Sequence, residues 1–268
     1  MTILDRIVAT KRNEVDLARR LRPQANLALT AVAMPAARDF FAAVTEAARG
    51  GPNLIAEIKK ASPSAGVIVR DFDPVALANV YAQSGVSAIS VLTDKHFFQG
   101  DLGFIDSIKN AIGLPVLRKD FIVDAYQLYE SRAAQADAVL LIAEVLSISG
   151  LADLLPIALD LGLTPLVEVH SAEVLVKTLK RFGPPHRDSY ILGINNRDLY
   201  TQRVDVSTMV RLGSMLPPGA PFVAESGLVS RDDVLRAKAA GACAVLIGES
   251  ILRSRDIGAK IAQLTGNE

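Results

Sequence analysis

About eight times between Asn53 and the C-terminus, a short apolar run is followed by a polar loop and a helix-like segment, and this alternation restricts the fold more than any other feature. The runs are LIAEIK (Leu54 to Lys59), AISVLT (Ala88 to Thr93), LPVLRK (Leu114 to Lys119), AVLLIA (Ala138 to Ala143), PLVEV (Pro165 to Val169), YILGIN (Tyr190 to Asn195), PFVAES (Pro221 to Ser226) and AVLIGE (Ala244 to Glu249). They recur every roughly 20 to 35 residues, the length of one strand-plus-helix unit. Several intervening segments end in Gly, a helix stop, and SAEV and SRDD open with Ser as an N-cap. Near-continuous apolar strands alternating with helices mean buried parallel strands and an α/β fold, and about eight such units match a single (β/α)8 barrel. An open doubly wound sheet is the competitor. It calls for a Gly-rich nucleotide turn after an early strand, and neither G-x-G-x-x-G nor G-x-x-x-x-G-K-[ST] occurs.

The first fifty or so residues have a different texture. Ile3, Leu4, Ile7, Val8, Val15 and Leu17 recur at near-helical spacing among charged residues, predicting an amphipathic helix that ends before Pro23. Two further helical pieces are expected at about Gln24 to Val32 and Asp39 to Ala48, so residues 1–268 read as one barrel domain with a helical N-terminal extension over about 1–50.

Lys plus Arg equals Asp plus Glu at 29 each, which leaves no global pull toward nucleic acid or an anionic membrane. The lone Cys243 excludes an internal disulfide, and in the run AGACAVLIG it reads as a small buried side chain. No apolar run approaches the ~18 residues of a membrane span, and the N-terminus mixes charges from the start. These features predict a cytoplasmic protein with no membrane and no nucleic-acid partner. His96, His170 and His186 form no metal-ligand spacing, so neither a metal nor an organic cofactor is expected.

In such a barrel the active site lies at the C-terminal ends of the strands. Side chains alternate faces along a strand, so counting in twos from the apolar inward positions finds the residue each run delivers to that end. The first run delivers Glu57 and Lys59, in phase with Ile55. The third delivers Lys119 with Leu117, and the fifth Glu168 with Leu166. The sixth delivers Asn195 with Gly193, and the seventh Glu225 with Val223. Taken alone, Glu57 and Lys59 also read as a structural ion pair, because a buried charge needs a partner. Five runs that all end in a polar group of the buried parity point instead to convergence on one barrel mouth. The seventh and eighth runs continue as AESGLVSRDD and VLIGES, placing Gly beside Ser or Glu just before a helical segment. Free backbone N–H groups there suit an anion, and in barrels this pair of loops frequently holds a phosphate.

The chain resembles the indole-3-glycerol phosphate synthase family. The matching stretches are IAEIKKASPS (Ile55 to Ser64), DFDP (Asp71 to Pro74), SVLTD and FFQG (Ser90 to Asp94, Phe97 to Gly100), LPVLRKDFIVD (Leu114 to Asp124), LVEVH (Leu166 to His170), GINNRDL (Gly193 to Leu199), AESG (Ala224 to Gly227) and LIGES (Leu246 to Ser250). They cover nearly the whole chain in the family's order. The resemblance implies one small phosphorylated substrate, 1-(2-carboxyphenylamino)-1-deoxyribulose 5-phosphate, closed to indole-3-glycerol phosphate with loss of carbon dioxide and water in tryptophan biosynthesis. It implies Lys119 as general acid, Glu57 and Glu168 as catalytic carboxylates, and Lys59 as an anion holder and second acid. Which carboxylate is the base, and which lysine serves which step, stays open at this point. Asn195 and Ser226 suit hydrogen-bonding roles and Glu225 an electrostatic one. Ser62, Arg197 and the turns at Gly227 and at Leu246, Gly248 and Glu249 suit substrate and phosphate contacts. Phe98 and Phe121 suit the anthranilate ring, or else the core.

Two departures from the family stand out. Ala65 replaces a frequent lysine in the first loop, and Gly183 to Ser189 is slightly long. A phosphoribosylanthranilate isomerase would share the phosphate turns but not account for RKDF or INNRDL. A silent scaffold would lack the ionisable strand ends. The expected working unit is a monomer.

Overall fold

The computed structural model describes residues 2–46 and 51–266. Eight parallel strands close on themselves: β1 (Asn53–Ile58), β2 (Ala88–Leu92), β3 (Val116–Lys119), β4 (Ala138–Ile142), β5 (Thr164–Val169), β6 (Ile191–Asn195), β7 (Phe222–Glu225) and β8 (Ala244–Ile247). Closure is carried by β1, whose Ile55 lies beside Leu246 of β8 on one side and Ala88 of β2 on the other. Each of the eight apolar runs therefore forms the strand expected of it.

The two faces of every strand go to different places. Ile55, Leu117, Leu140, Leu166, Ile191, Val223 and Leu246 point inward and fill the barrel. Leu54, Ala56, Ile58, Ile89, Val91, Val139 and Val167 point outward and pack on the surrounding helices. With both faces covered, the strands read as unbroken apolar stretches, not as alternating ones.

Ahead of the barrel lie α1 (Ile3–Leu21), α2 (Gln24–Ala33) and α3 (Phe40–Thr45). The third helical piece was expected to run to Ala48; it ends at Thr45, with Glu46 in extended backbone, and position 48 lies outside the described residues. The barrel's helices are α4 (Pro74–Gln83), α5 (Gly103–Ala111), α6 (Ala125–Ala133), α7 (Ala143–Asp160), α8 (Ala172–Phe182), α9 (Ser207–Gly213), α10 (Arg231–Ala239) and α11 (Ile257–Thr265). Ser171 and Ser230 cap α8 and α10 as predicted, each accepting the backbone N–H three residues on. Gly183 ends α8 at φ +77°, a left-handed backbone that a side chain would strain.

Three local differences from the sequence reading have physical causes. α5 opens on Gly103 with no capping side chain, so its start carries no sequence signal, and Ile105 and Ile108, with Phe104 packed beside them, hold it to the core. α7 begins directly at Ala143 and kinks at Ser147, whose φ of +60° breaks the helix inside its second turn. The last segment divides into a single turn, Glu249–Leu252, and α11, which Asp256 caps. A two-residue hairpin, Ala61–Ser62 against Gly66–Val67, also forms after β1.

The extension closes both ends of the barrel. Phe40 and Val44 of α3 join the inner cluster where the strands begin, beside Asn53, whose side-chain amide donates to Glu46 O at 2.6 Å. Leu4 and Ile7 of α1 join it at the opposite end, where the strands finish. A buried charge cluster fastens α1 there. Lys11 Nζ, only 4% exposed, lies 2.9 Å from Asp94 and 3.0 Å from Asp120. Asp120 in turn pairs with Arg118 at 3.0 Å and accepts from Thr93 Oγ1 at 2.7 Å. Burial would raise the Asp120 carboxyl, but Arg118 and Lys11 hold it down to about 2.

Candidate active site

A cavity of about 380 Å³ opens where the strands end, roofed by Ile3, Leu4 and Ile7 of α1. Every residue singled out from the sequence lines it. Glu57, Lys119, Glu168, Asn195 and Glu225 come up from the barrel strands, and Lys59 follows β1 directly. Ser62 stands on the hairpin after β1, Phe98 on the single turn Lys95–Phe98, and Phe121 two residues beyond β3. Arg197 follows β6, Ser226 and Gly227 follow β7, and Leu246, Gly248 and Glu249 mark the end of β8.

Two lysine–carboxylate groups line this space. Lys119 Nζ donates to Glu168 Oε2 at 2.8 Å and to Glu225 Oε2 at 2.9 Å. Lys59 Nζ donates to Glu57 Oε1 at 2.5 Å. Burial works against the Lys119 charge, but Glu168, Glu225 and Glu57 outweigh it, and the ammonium holds its proton above the ordinary lysine value. The two carboxyls that share it are pushed apart. Burial raises Glu168, yet Lys119 and Asn195 overcome this and keep it below its ordinary value. Burial drives Glu225 up to about 8, with the charge of Glu168 adding to the shift and Lys119 opposing it. At neutral pH one carboxyl is therefore charged and the other neutral, as expected of two acids beside a single cation.

This arrangement makes stability depend on pH in a stated direction. Unfolded glutamate titrates near ~4.3, so between that value and about 8 the folded chain holds a proton on Glu225 that the unfolded chain has released. The Glu225 contribution is complete below the unfolded value and disappears as pH rises through the folded one. We expect the melting temperature to decline from about pH 5 to about pH 9 more steeply in the wild type than in Glu225→Gln. Parallel declines in a calorimetric pH series would show that Glu225 is charged throughout.

The walls are equally specific. Phe98 and Phe121 stand with ring centres 6.1 Å apart, forming an aromatic side beside Lys119. Asn195 is fixed by accepting the Arg197 N–H at 2.9 Å, and Arg197 by donating to Gln202 O at 3.2 Å. After β7, Ser226 and Gly227 both adopt left-handed backbone, at φ +65° and +76°. Such strain at a non-glycine residue needs outside support. Asn196 supplies it, donating to Ser226 O at 3.0 Å while accepting the Met209 N–H at 3.0 Å. Opposite, Gly248 caps the single turn Glu249–Leu252, whose Glu249 pairs with Arg253 at 2.8 Å.

Several lining residues were not anticipated: Ile3, Leu4, Ile7, Ser64, Leu199, Gln202 and Arg253. The apolar stripe of α1 was visible, but a stripe does not say which surface it covers. Arg253 had one usable signal, its four-residue spacing from Glu249. His170 has its Nδ1 3.1 Å from Asn195 O and its Nε2 3.3 Å from Asp198, tying together the loops after β5 and β6. Among the described residues no helix is long and apolar enough to cross a membrane.

Comparison with known proteins gives the family. A model of the family described as indole-3-glycerol phosphate synthase matches residues 4–264. The chain is 47% identical over 257 residues to the indole-3-glycerol phosphate synthase of Chlorobaculum tepidum, covering 96% of this chain and 98% of the relative. It is 45% identical to that of Albidiferax ferrireducens, over 98% of this chain and 97% of the relative. The Geobacillus thermodenitrificans enzyme of the same name is 43% identical over 99% and 98%. Among solved structures, a mutant tryptophan synthase alpha-subunit from Pyrococcus furiosus aligns over 81% of this chain and 99% of its own with a TM-score of 0.58. At 13% identity that likeness speaks for the barrel alone. On the family match and the near-full-length relatives, the chain belongs to the indole-3-glycerol phosphate synthase family.

Proposed function

We propose that the chain closes 1-(2-carboxyphenylamino)-1-deoxyribulose 5-phosphate to indole-3-glycerol phosphate, releasing carbon dioxide and water, and that the two lysine–carboxylate groups divide the work. Family membership supports the overall reaction, a carboxy-lyase step of tryptophan biosynthesis. The observation that carries the division is that Lys119 donates to both Glu168 and Glu225, while Lys59 makes a separate pair with Glu57 in the same cavity.

When the aryl carbon attacks the ribulose carbonyl, its oxygen gains negative charge and needs a proton donor in a water-poor site. Lys119 meets that need, and the charge of Glu168 keeps it protonated until substrate arrives. Loss of carbon dioxide restores the aromatic ring. The hydroxyl then leaves as water, which requires a second acid and a base. Lys59 and Glu57 form the pair for that step, and Glu168, the ionised carboxylate beside Lys119, is the base left available on the first side. Phe98 and Phe121 hold the anthranilate ring, and Arg197 and Asn195 hold the sugar hydroxyls. Ser62 and the turns at Ser226–Gly227 and Leu246–Glu249 take the phosphate, with Arg253 as an added cation. The unit works as a cytoplasmic monomer on this one small phosphorylated substrate, without a nucleic-acid partner.

The test is direct. Supplied with the carboxyphenylamino-deoxyribulose phosphate, the protein should generate indole fluorescence and one carbon dioxide per indole formed. Saturating protein that leaves the substrate unchanged, or isomerises it without releasing carbon dioxide, would refute the assignment.

A further inference from the structure

One inward position in the middle of β6 carries no side chain. Gly193 lies between Ile191 and Asn195, in register with Glu168 of β5 and Val223 of β7. A glycine inside a strand weakens it and often marks a close approach by another group. Its φ is not in the left-handed region, so backbone freedom is not the reason for it. The reason is spatial. A Cβ built on Gly193 falls 2.2 Å from Glu225 Oε1, and its next neighbours, Glu225 Cδ and Glu168 Cα, are 3.4 and 3.5 Å away.

The severe overlap is therefore with one carboxylate and with no backbone atom. Glu225 lies across β6 in the space the missing side chain leaves. From there its Oε2 reaches Lys119 Nζ at 2.9 Å, while its Oε1 is buried without a hydrogen-bond partner. A methyl group at position 193 leaves no room for that posture. The carboxyl must swing away, and Lys119 is left to Glu168.

We infer that Gly193 is a positioning residue, whose absent side chain lets Glu225 lie over β6 and share Lys119 with Glu168. The kinetic part of this inference rests on the function proposed above, and the titration part does not.

The test compares wild type, Gly193→Ala, Glu225→Ala and the double variant. Gly193→Ala should lower kcat by about tenfold or more, since misplacing a group by about 1 Å suffices for that, with KM nearly unchanged. In the Glu225→Ala background the same change should have no effect on kcat, because the group it displaces is gone. In carboxyl-¹³C glutamate spectra, the resonance missing from Glu225→Ala should titrate at a different pH in Gly193→Ala from that in wild type, because displacement changes its burial and its contacts with Lys119 and Glu168. Equal losses of kcat in both backgrounds, an unaffected single variant, or an unmoved titration would overturn the inference. If Gly193→Ala fails to fold while the double variant folds, the clash is with Glu225 and the inference stands; if neither folds, it falls. A wild type without synthase activity would defeat the proposed function, and the titration, which needs no substrate, would still decide the role of Gly193.

Discussion

Lys119→Met is expected to lower turnover by about three orders of magnitude, the scale on which a positioned general acid and an oxyanion-stabilising charge contribute. Methionine retains the bulk of the side chain and removes the cation that Glu168 and Glu225 share. Breaking a buried pair from one side leaves an uncompensated charge, a loss of about 3–5 kcal/mol in comparable cases. The variant should therefore fold but be less stable near neutral pH. The sign of its pH response separates this from simple loss of packing. In the wild type Glu168 sits below its ordinary value, so its contribution is present above the unfolded value and is lost as pH falls through the folded one. Without Lys119, burial and the repulsion between the two carboxyls outweigh the Asn195 hydrogen bond and raise both. Acidification from neutral pH then stabilises the variant relative to the wild type, and their melting temperatures converge. Near-normal turnover, or a constant gap in melting temperature between pH 5 and pH 8, would remove Lys119 from both roles.

Glu168→Gln should be nearly as damaging, lowering kcat by about 10²–10⁴ as expected for a positioned base. It also removes the first of the attractions that hold the proton on Lys119. The lysine should release its proton more readily, moving the alkaline limb of kcat/KM to lower pH. Glu225 loses its negative neighbour at the same time, so its carboxyl falls from about 8 and ionises to become the partner of Lys119. Stability near pH 7 should then change less than in Lys119→Met, because one ion pair survives. An unmoved alkaline limb in a full pH–rate profile would show that Lys119 is not the group titrating there.

The barrel and its mouth were legible because both depend on local repetition. Eight apolar runs specify eight buried strands, and strand parity is a property of adjacent residues, so Lys119 and Glu168 could be aimed inward without knowledge of their neighbours. Their pairing could not be read this way. The partners of Lys119 lie 49 and 106 residues away, and only closure of the sheet makes them neighbours. For the same reason Lys11 looked like one more cation on a polar face, although it is nearly fully buried against Asp94 and Asp120. Gly193 gave no signal because it was counted as a small inward residue, and its importance lies in the atom of Glu225 that fills its place. Asn196 was passed over because it points away from the cavity and acts on the backbone of Ser226.

The clasp at Lys11 also bears on the order in which the molecule is built. Its partners are at positions 94 and 120, and α1 is further held by Tyr126, whose hydroxyl donates to Ala18 O at 3.1 Å or Arg22 O at 2.9 Å. Because these partners all lie C-terminal to it, α1 has nowhere to dock during synthesis until the third strand–helix unit has been made, and its apolar stripe waits in solvent meanwhile. Docking over such long sequence separations is a late event. In pulse-labelled refolding, amides of Ile3–Leu21 should gain exchange protection after those of β1 to β3, so the roof of the cavity settles only once those strands are in place.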